Sequence, residues 1–196
     1  MIQKVSFDHC AWLNEPPHWS KDSEELVVET GDKTDFWRKT HYGFTHNSGH
    51  FLGKAVSGDF TAQIRFRANY TSLYDPAGLM LRIDENKWIK TGIEYTDGLH
   101  ALSTVVTLGK SDWSVGHLPG GGEDVSLRLT LCKGAVRIQA SSNGKHWPLF
   151  RLCPFPDAAE YQIGPMCCSP QRKGFMVRFS EFMLGSPTSK DLHDLT

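Results

Sequence analysis

No stretch of this chain approaches the roughly 20 consecutive apolar residues that a membrane-spanning helix requires. The opening MIQKVSFDHCAWLNEPPHW likewise has no apolar signal core. The expectation is a cytoplasmic protein with no membrane partner. Disulfide chemistry is scarce too. The five cysteines, Cys10, Cys132, Cys153, Cys167 and Cys168, are odd in number and contain no C-x-x-C pair, which argues against a disulfide framework. They are expected to serve as small core residues, the adjacent Cys167 and Cys168 included. A surplus of one charge sign is also missing: 21 Lys and Arg stand against 22 Asp and Glu, a formal net charge of −1. The basic residues are scattered, with RFR (65–67) and QRK (171–173) as the densest tracts. A broad nucleic-acid surface needs clustered Lys and Arg, so no nucleic-acid partner is expected.

Signatures of catalysis and cofactor binding are equally thin. There is no G-x-S-x-G elbow and no cysteine with an evident base. GKS at 109–111 looks like the end of a phosphate loop, but the first glycine of that motif would fall on Thr104. PGGGED (119–124) reads as a turn, because a nucleotide fingerprint needs a helix after it. His41, His46 and His50 form H-x4-H-x3-H in a stretch that is not helical, with no carboxylate at a zinc-like spacing. Neither a cofactor nor a metal is expected.

Helical periodicity is nearly absent, whereas period-two runs are abundant. Examples are GDFTAQIRFRANY (58–70), GLMLRID (78–84), KWIKTGIEY (87–95), LHALSTVVT (99–107), DVSLRLTL (124–131) and GFMVRFSEFML (174–184). Turn residues separate them, with Asp97-Gly98 and Asn143-Gly144 as the strongest tight-turn signals. Many short strands at about ten-residue spacing predict an all-β sandwich or jelly roll of antiparallel sheets. One domain over 1–185 and a frayed polar tail over 186–196 are expected.

Within YDPAGLMLRIDENKWIKTGIEY (74–95), alternation assigns Leu79, Leu81 and Ile83 to one face and Met80, Arg82 and Asp84 to the other. The next run places Trp88, Lys90, Gly92 and Glu94 together, opposite Ile89, Thr91, Ile93 and Tyr95. The run 99–107 adds either His100, Leu102 and Thr104 or Ala101, Ser103 and Thr107 to the polar side. A merely solvated face seldom presents Trp, so this face is expected to be a concave ligand surface, with space left at Gly92. The aromatic-rich span 31–50 is expected to put Trp37, Arg38, His41 and Tyr42 at the mouth of a pocket, with Asp112 and Trp113 closing its rim. Glycoside hydrolysis wants two carboxylates on one face. Asp84 and Glu94 are the pair that alternation offers. Lys90 beside Glu94 is expected to hold that carboxylate ionised, which suits binding or a general base.

In the ordered blocks TDFWRKTHYGF, YDPAGLMLRIDENKWIKTGIEY, SDWSV and SPQRKGFMVRFSEF, the chain resembles the regulation-of-enolase family over about residues 10–185. That resemblance implies a concanavalin A-like sandwich of two antiparallel sheets. The matching positions are Trp37, Arg38, His41, Tyr42, Gly43, Asp75, Gly78, Trp88, Lys90, Glu94, Ser111, Asp112 and Trp113. Fold alone leaves function open. The leading expectation is carbohydrate binding on the concave sheet, linked to sugar or glycolytic metabolism, with Trp88 and Trp37 as platforms and Arg82, Lys90, Glu94 and His41 as hydrogen-bonding groups. The alternatives are a sugar-active hydrolase or lyase using Glu94 with Lys90, and a protein-interaction module regulating a metabolic enzyme such as enolase.

Overall fold

A computed structural model describes residues 1–118, 124–188 and 191–196. Most of the glycine-rich turn expected at 119–124 lies outside them. Among the described residues the strands are β1 (Ile2–Lys4), β2 (Ala11–Leu13), β3 (His18–Lys21), β4 (Glu25–Glu29), β5 (Phe36–Arg38) and β6 (Thr45–Asn47). They continue with β7 (His50–Val56), β8 (Phe60–Ala68), β9 (Pro76–Asp84), β10 (Lys87–Thr96), β11 (Leu99–Leu108) and β12 (Ser111–Gly116). The last are β13 (Asp124–Cys132), β14 (Ala135–Ser141), β15 (Leu149–Pro154), β16 (Tyr161–Cys167) and β17 (Met176–Gly185).

Two antiparallel sheets form a concanavalin A-like jelly-roll sandwich. One runs β15-β14-β13-β8-β17-β4-β3, with β1 also on β17; the other runs β12-β11-β10-β9-β16-β7-β2. Period-two alternation drives the assembly. Ala62, Ile64 and Phe66 of β8 and Val125, Leu127, Leu129 and Leu131 of β13 point inward from the first sheet. Leu79 and Leu81 of β9 and Ile89 and Ile93 of β10 meet them from the second. Fully burying each of the Val, Leu, Ile and Phe side chains among these stabilises the fold by about 1.5–3 kcal/mol. No helix among the described residues is long and apolar enough to cross a membrane.

The turn chemistry follows backbone sterics. Asp97 (φ 52°) and Gly98 (φ 75°) make the two-residue link between β10 and β11. Asn143-Gly144 does not close such a hairpin. The Asn143 carboxamide oxygen instead accepts from the N–H groups of Lys145 and His146, both at 2.9 Å, within a longer connection between β14 and β15. The described part of the tail makes hydrogen bonds to the sandwich. Trp147 N donates to Leu195 O (2.8 Å), and the Arg137 guanidinium donates to Thr188 Oγ1 (2.7 Å) and Asp191 O (3.2 Å).

The second sheet is covered on both sides. Its outer face carries a separate apolar cluster of Phe36, Trp37, Phe51, Met80, Trp88, Val105, Met166 and Cys168. A short hairpin, β5 paired with β6, supplies the lid. The register settles which face β11 contributes: Gly92 pairs with Ser103, Lys90 with Val105 and Trp88 with Thr107. Ser103 and Thr107 therefore join the face of Glu94, while Leu102 and Val106 point to the main core.

Candidate functional site

The lid hairpin is held by its flanks. Arg38 N donates to Ser111 Oγ (2.9 Å), and Arg38 Nε donates to Gly109 O (3.3 Å). Asn14 Nδ2 donates to Asn47 O (2.7 Å) and Gly49 O (2.9 Å). His50 Nε2 accepts from Gly31 N (2.9 Å), so its Nδ1–H donates to Asn14 O (2.7 Å). Burial lowers the His50 pKa, which keeps this ring in the neutral form that its two backbone bonds require. His50 is thereby committed to the backbone, while His41 and His46 lie with the exposed aromatics of the lid.

Seated this way, Phe36 lies against Trp88, with ring centroids 6.0 Å apart. Trp88 is 1 % exposed and cannot act as the open platform expected from its place on a polar face. Alternation located its face correctly, but that face packs under the lid instead of meeting solvent. The wider neighbourhood of Gly92 is not open space either. A Cβ on Gly92 would run into the Ala77 carbonyl, and one on its partner Gly78 into the Thr91 carbonyl. These two glycines let β9 and β10 approach closely.

Beside the sealed cluster lies a pocket of about 340 Å³. Trp37, Tyr42, Phe44, His46, Tyr74 and Trp113 wall it, and Asp35, Lys90, Glu94 and Val105 lie deeper, with Lys33, Pro170 and Gln171 at the rim. The aromatic rings brace one another. Tyr42 stacks on Phe44 at 5.2 Å, Trp37 meets Tyr42 edge-on at 5.7 Å, and Trp113 meets Tyr74 edge-on at 6.2 Å. The Tyr74 phenol is pushed upward in pKa, first by its hydrogen bond with Tyr42 and then by burial. The rim is pinned from below, where Arg172 Nε donates to Oδ2 of the fully buried Asp75 (2.8 Å) and Arg172 O accepts from Lys33 N (3.1 Å).

Polar groups inside the pocket are arranged asymmetrically. Lys90 Nζ donates to Asp35 Oδ1 at 2.8 Å, and the same oxygen accepts from Phe36 N at 2.7 Å. Burial alone drives the Lys90 ammonium toward neutrality. Asp35 first, then Cys168 and Glu94, outweigh that and hold its pKa above the usual lysine value. Glu94 Oε2 accepts from Ser103 Oγ (2.8 Å), which itself accepts from Trp113 Nε1 (3.0 Å). Burial raises the Glu94 pKa, and Lys90 and Ser103 pull it back only in part. Lys90 does act on Glu94 in the expected direction, lowering its pKa, but burial outweighs that pull and the ammonium's hydrogen bond goes to Asp35.

Of the ten residues that sequence points to, Trp37, Tyr42, Lys90, Glu94 and Trp113 come together in this pocket. Arg38 anchors the lid, and His41 sits outside the lining at φ 61°, its ring 4.8 Å from Tyr42. Arg82 is buried in register with Trp88, its Nη1 without a partner. Asp112 points away from its neighbour Trp113 and meets Arg151 Nη2 at 3.1 Å. Asp84 is not near Glu94 either. It pairs across from Lys87 and accepts from Asn86 N in the turn, seven residues and roughly 23 Å along the strand. The second carboxylate is Asp35, whose signal was its place immediately before the apolar Phe36-Trp37 pair. Tyr74, Phe44 and Gln171 on connecting segments and His46 on β6 were also missed as pocket residues, since local alternation does not show which distant segments meet.

Fold and site together define a β-sandwich protein with a small aromatic-walled pocket on the outer side of one sheet. Residues 12–187 match the family described as "Protein of unknown function (DUF1349)", and the chain belongs to that family. It is 52% identical over 185 residues to "Regulation of enolase protein 1" of Saccharomyces cerevisiae, covering 94% of this chain and 93% of that one. A crystal structure of a functionally unknown protein from Saccharomyces cerevisiae superposes with TM-score 0.92 at 49% identity, over 94% of this chain and 100% of the other. A Bacteroides ovatus GH43B protein from a xyloglucan locus gives TM-score 0.71 at 17% identity, over 94% of this chain but 38% of its own. An alginate lyase from Klebsiella pneumoniae gives 0.55 at 10% identity, over 88% and 85%. The last two likenesses show the fold alone.

Proposed function

We propose that the pocket binds a carbohydrate in the cytoplasm, with a link to sugar metabolism. The supporting observation is the grouping of Trp37, Tyr42, Phe44, Tyr74 and Trp113 around Glu94, Lys90 and Asp35. Aromatic faces suit the C–H faces of a sugar ring, and the charged groups below suit its hydroxyls. Apolar walls with a few placed polar groups are the usual recipe of a small-ligand site. The pocket volume lies near the low end of the ~300–1,000 Å³ typical of such sites, which favours a terminal sugar unit over a polymer laid along a groove. Five free cysteines fit a reducing compartment. The test is calorimetric titration with a panel of mono- and disaccharides against the wild type and Trp113→Ala. Binding that is weakened by Trp113→Ala in a folded protein supports the reading, and no binding across the panel ends it.

A second reading, docking of a metabolic enzyme, is favoured by the exposed apolar rim of Tyr42, Phe44, Leu73 and Trp113 and by the name of the 52% identical relative. Pull-down with purified enolase, compared between wild type and a Tyr42→Ser, Phe44→Ser double variant, tests it.

A further inference from the structure

The charges inside the pocket do not cancel evenly. Lys90 and Asp35 neutralise each other across 2.8 Å. Glu94 is 5 % exposed and receives a hydroxyl hydrogen bond from Ser103, but among the described residues no ammonium or guanidinium nitrogen lies within ion-pairing distance of it. A buried carboxyl without a countercharge either keeps its proton or recruits a cation. The walls favour the second outcome once a ligand is present, because the faces of Trp and Tyr rings attract cations. The other ionisable groups facing Glu94 leave this imbalance in place. Asp35 is committed to Lys90, Lys33 stands exposed at the rim, His46 belongs to the outer wall, and the Tyr74 phenol is a neutral group with its pKa raised.

We propose that the sugar bound here carries a protonated amine, which sits between the aromatic walls and pairs with the Glu94 carboxylate. This inference rests on reading the pocket as a carbohydrate site and names the chemical class of sugar: an amino sugar with a free ammonium, not its acetylated or purely hydroxylated counterpart. A hydroxyl can hydrogen-bond to Glu94 but brings no countercharge. An acetamide removes the charge and adds bulk. A uronate or sugar phosphate would bring a second anion toward Glu94, where Lys90 is already bonded to Asp35 and Lys33 stands at the rim. An ammonium beside Glu94 favours its ionised form and so opposes the upward pKa shift that burial imposes.

The experiment is calorimetry on the intact chain at neutral pH with matched methyl glycosides of glucose, galactose and mannose, each as the parent sugar, the 2-amino form and the 2-acetamido form. In the favoured configuration the amino form binds about tenfold or more tightly than both counterparts, the scale of one charge-assisted contact. Glu94→Gln is expected to abolish that advantage, so that on the variant the amino form binds no more tightly than the parent sugar measured on the same variant. Should that variant fold poorly, the wild type supplies an independent readout, since the amino preference must shrink as pH falls and Glu94 takes up its proton. Equal affinity for amino and parent forms overturns the inference while the carbohydrate reading stands. Absence of binding by every sugar in a folded protein removes the carbohydrate reading and this inference with it. Tighter binding of Nα-acetyl-lysine amide than of any amino sugar overturns the sugar assignment.

Discussion

Lys90 bonds to Asp35 at 2.8 Å, although Glu94 lies closer in sequence, four residues along the same strand. The pair joins the lid to the sheet, because Asp35 immediately precedes Phe36, the residue that seals Trp88. Both partners are largely buried, with side-chain exposures of 7 % and 17 %. Removing one member of such a pair strands the other charge, at a cost of about 2–4 kcal/mol allowing for the partial exposure of Asp35. Lys90→Met is expected to lose stability on that scale in urea denaturation. Adding Asp35→Asn, which keeps an acceptor for Phe36 N, is expected to restore most of it. If the double variant is as unstable as the sum of the singles, the two residues are not coupled.

A different signature is expected at Glu94, through pH. Its folded pKa is raised, mainly by burial. Such a group favours the folded state below the unfolded carboxyl's pKa of about 4.3, and that contribution is lost as pH rises through the folded value. Glu94→Gln removes the titration while retaining an oxygen that accepts from Ser103. The variant should match the wild type near pH 4 and become progressively more stable than it toward pH 8, read as a widening gap between thermal midpoints. A gap that stays constant with pH would show that Glu94 carries no raised pKa.

The sheet face was legible in sequence and the roof over it was not. Alternation alone placed Lys90 and Glu94 together and opposite Ile89 and Ile93, because side-chain period in a strand is a local property. It could not decide whether Ser103 or Leu102 joined them, since a one-residue shift in register exchanges the faces. Trp88 shows the deeper limit. A Trp on the polar side of an amphipathic strand means either a ligand surface or a second buried layer, and the choice depends on where a distant hairpin lands. That landing depends on long-range contacts such as Arg38 with Ser111 and Asn14 with Asn47. Asp35 escaped notice for the same reason, since its partner is 55 residues away.

Gly92 illustrates a residue whose reason is steric. It faces Gly78 across β9 and β10, and a methyl group on either would collide with backbone of the other strand. Backbone atoms cannot move aside as a flexible side chain can, so the strands must separate. Gly92→Ala and Gly78→Ala are each expected to destabilise by about 1–3 kcal/mol or more, the scale of overpacking, although alanine fits a strand as well as glycine does. Near-normal stability in chemical denaturation would mean that the strands tolerate a wider spacing.

Two tryptophans on the same sheet face are expected to respond in opposite ways. Trp88 is sealed beneath Phe36, with its Nε1 donating to Glu85 O at 3.3 Å, and lies outside the pocket. Trp113 is 37 % exposed, stands on the edge strand β12 and lines the pocket while donating to Ser103. Trp88→Ala opens a cavity in a fully buried cluster and should cost about 3–5 kcal/mol. Trp88→Phe keeps most of the packing and should leave ligand affinity unchanged. Trp113→Ala removes less buried surface, so its stability loss should stay near 1 kcal/mol, within the ordinary range for point substitutions. Its ligand affinity should nonetheless fall about tenfold or more, as expected when a central aromatic contact is truncated. Thermal midpoints and calorimetric titrations on the three variants measure both quantities, and the prediction fails if Trp88→Phe weakens binding as much as Trp113→Ala.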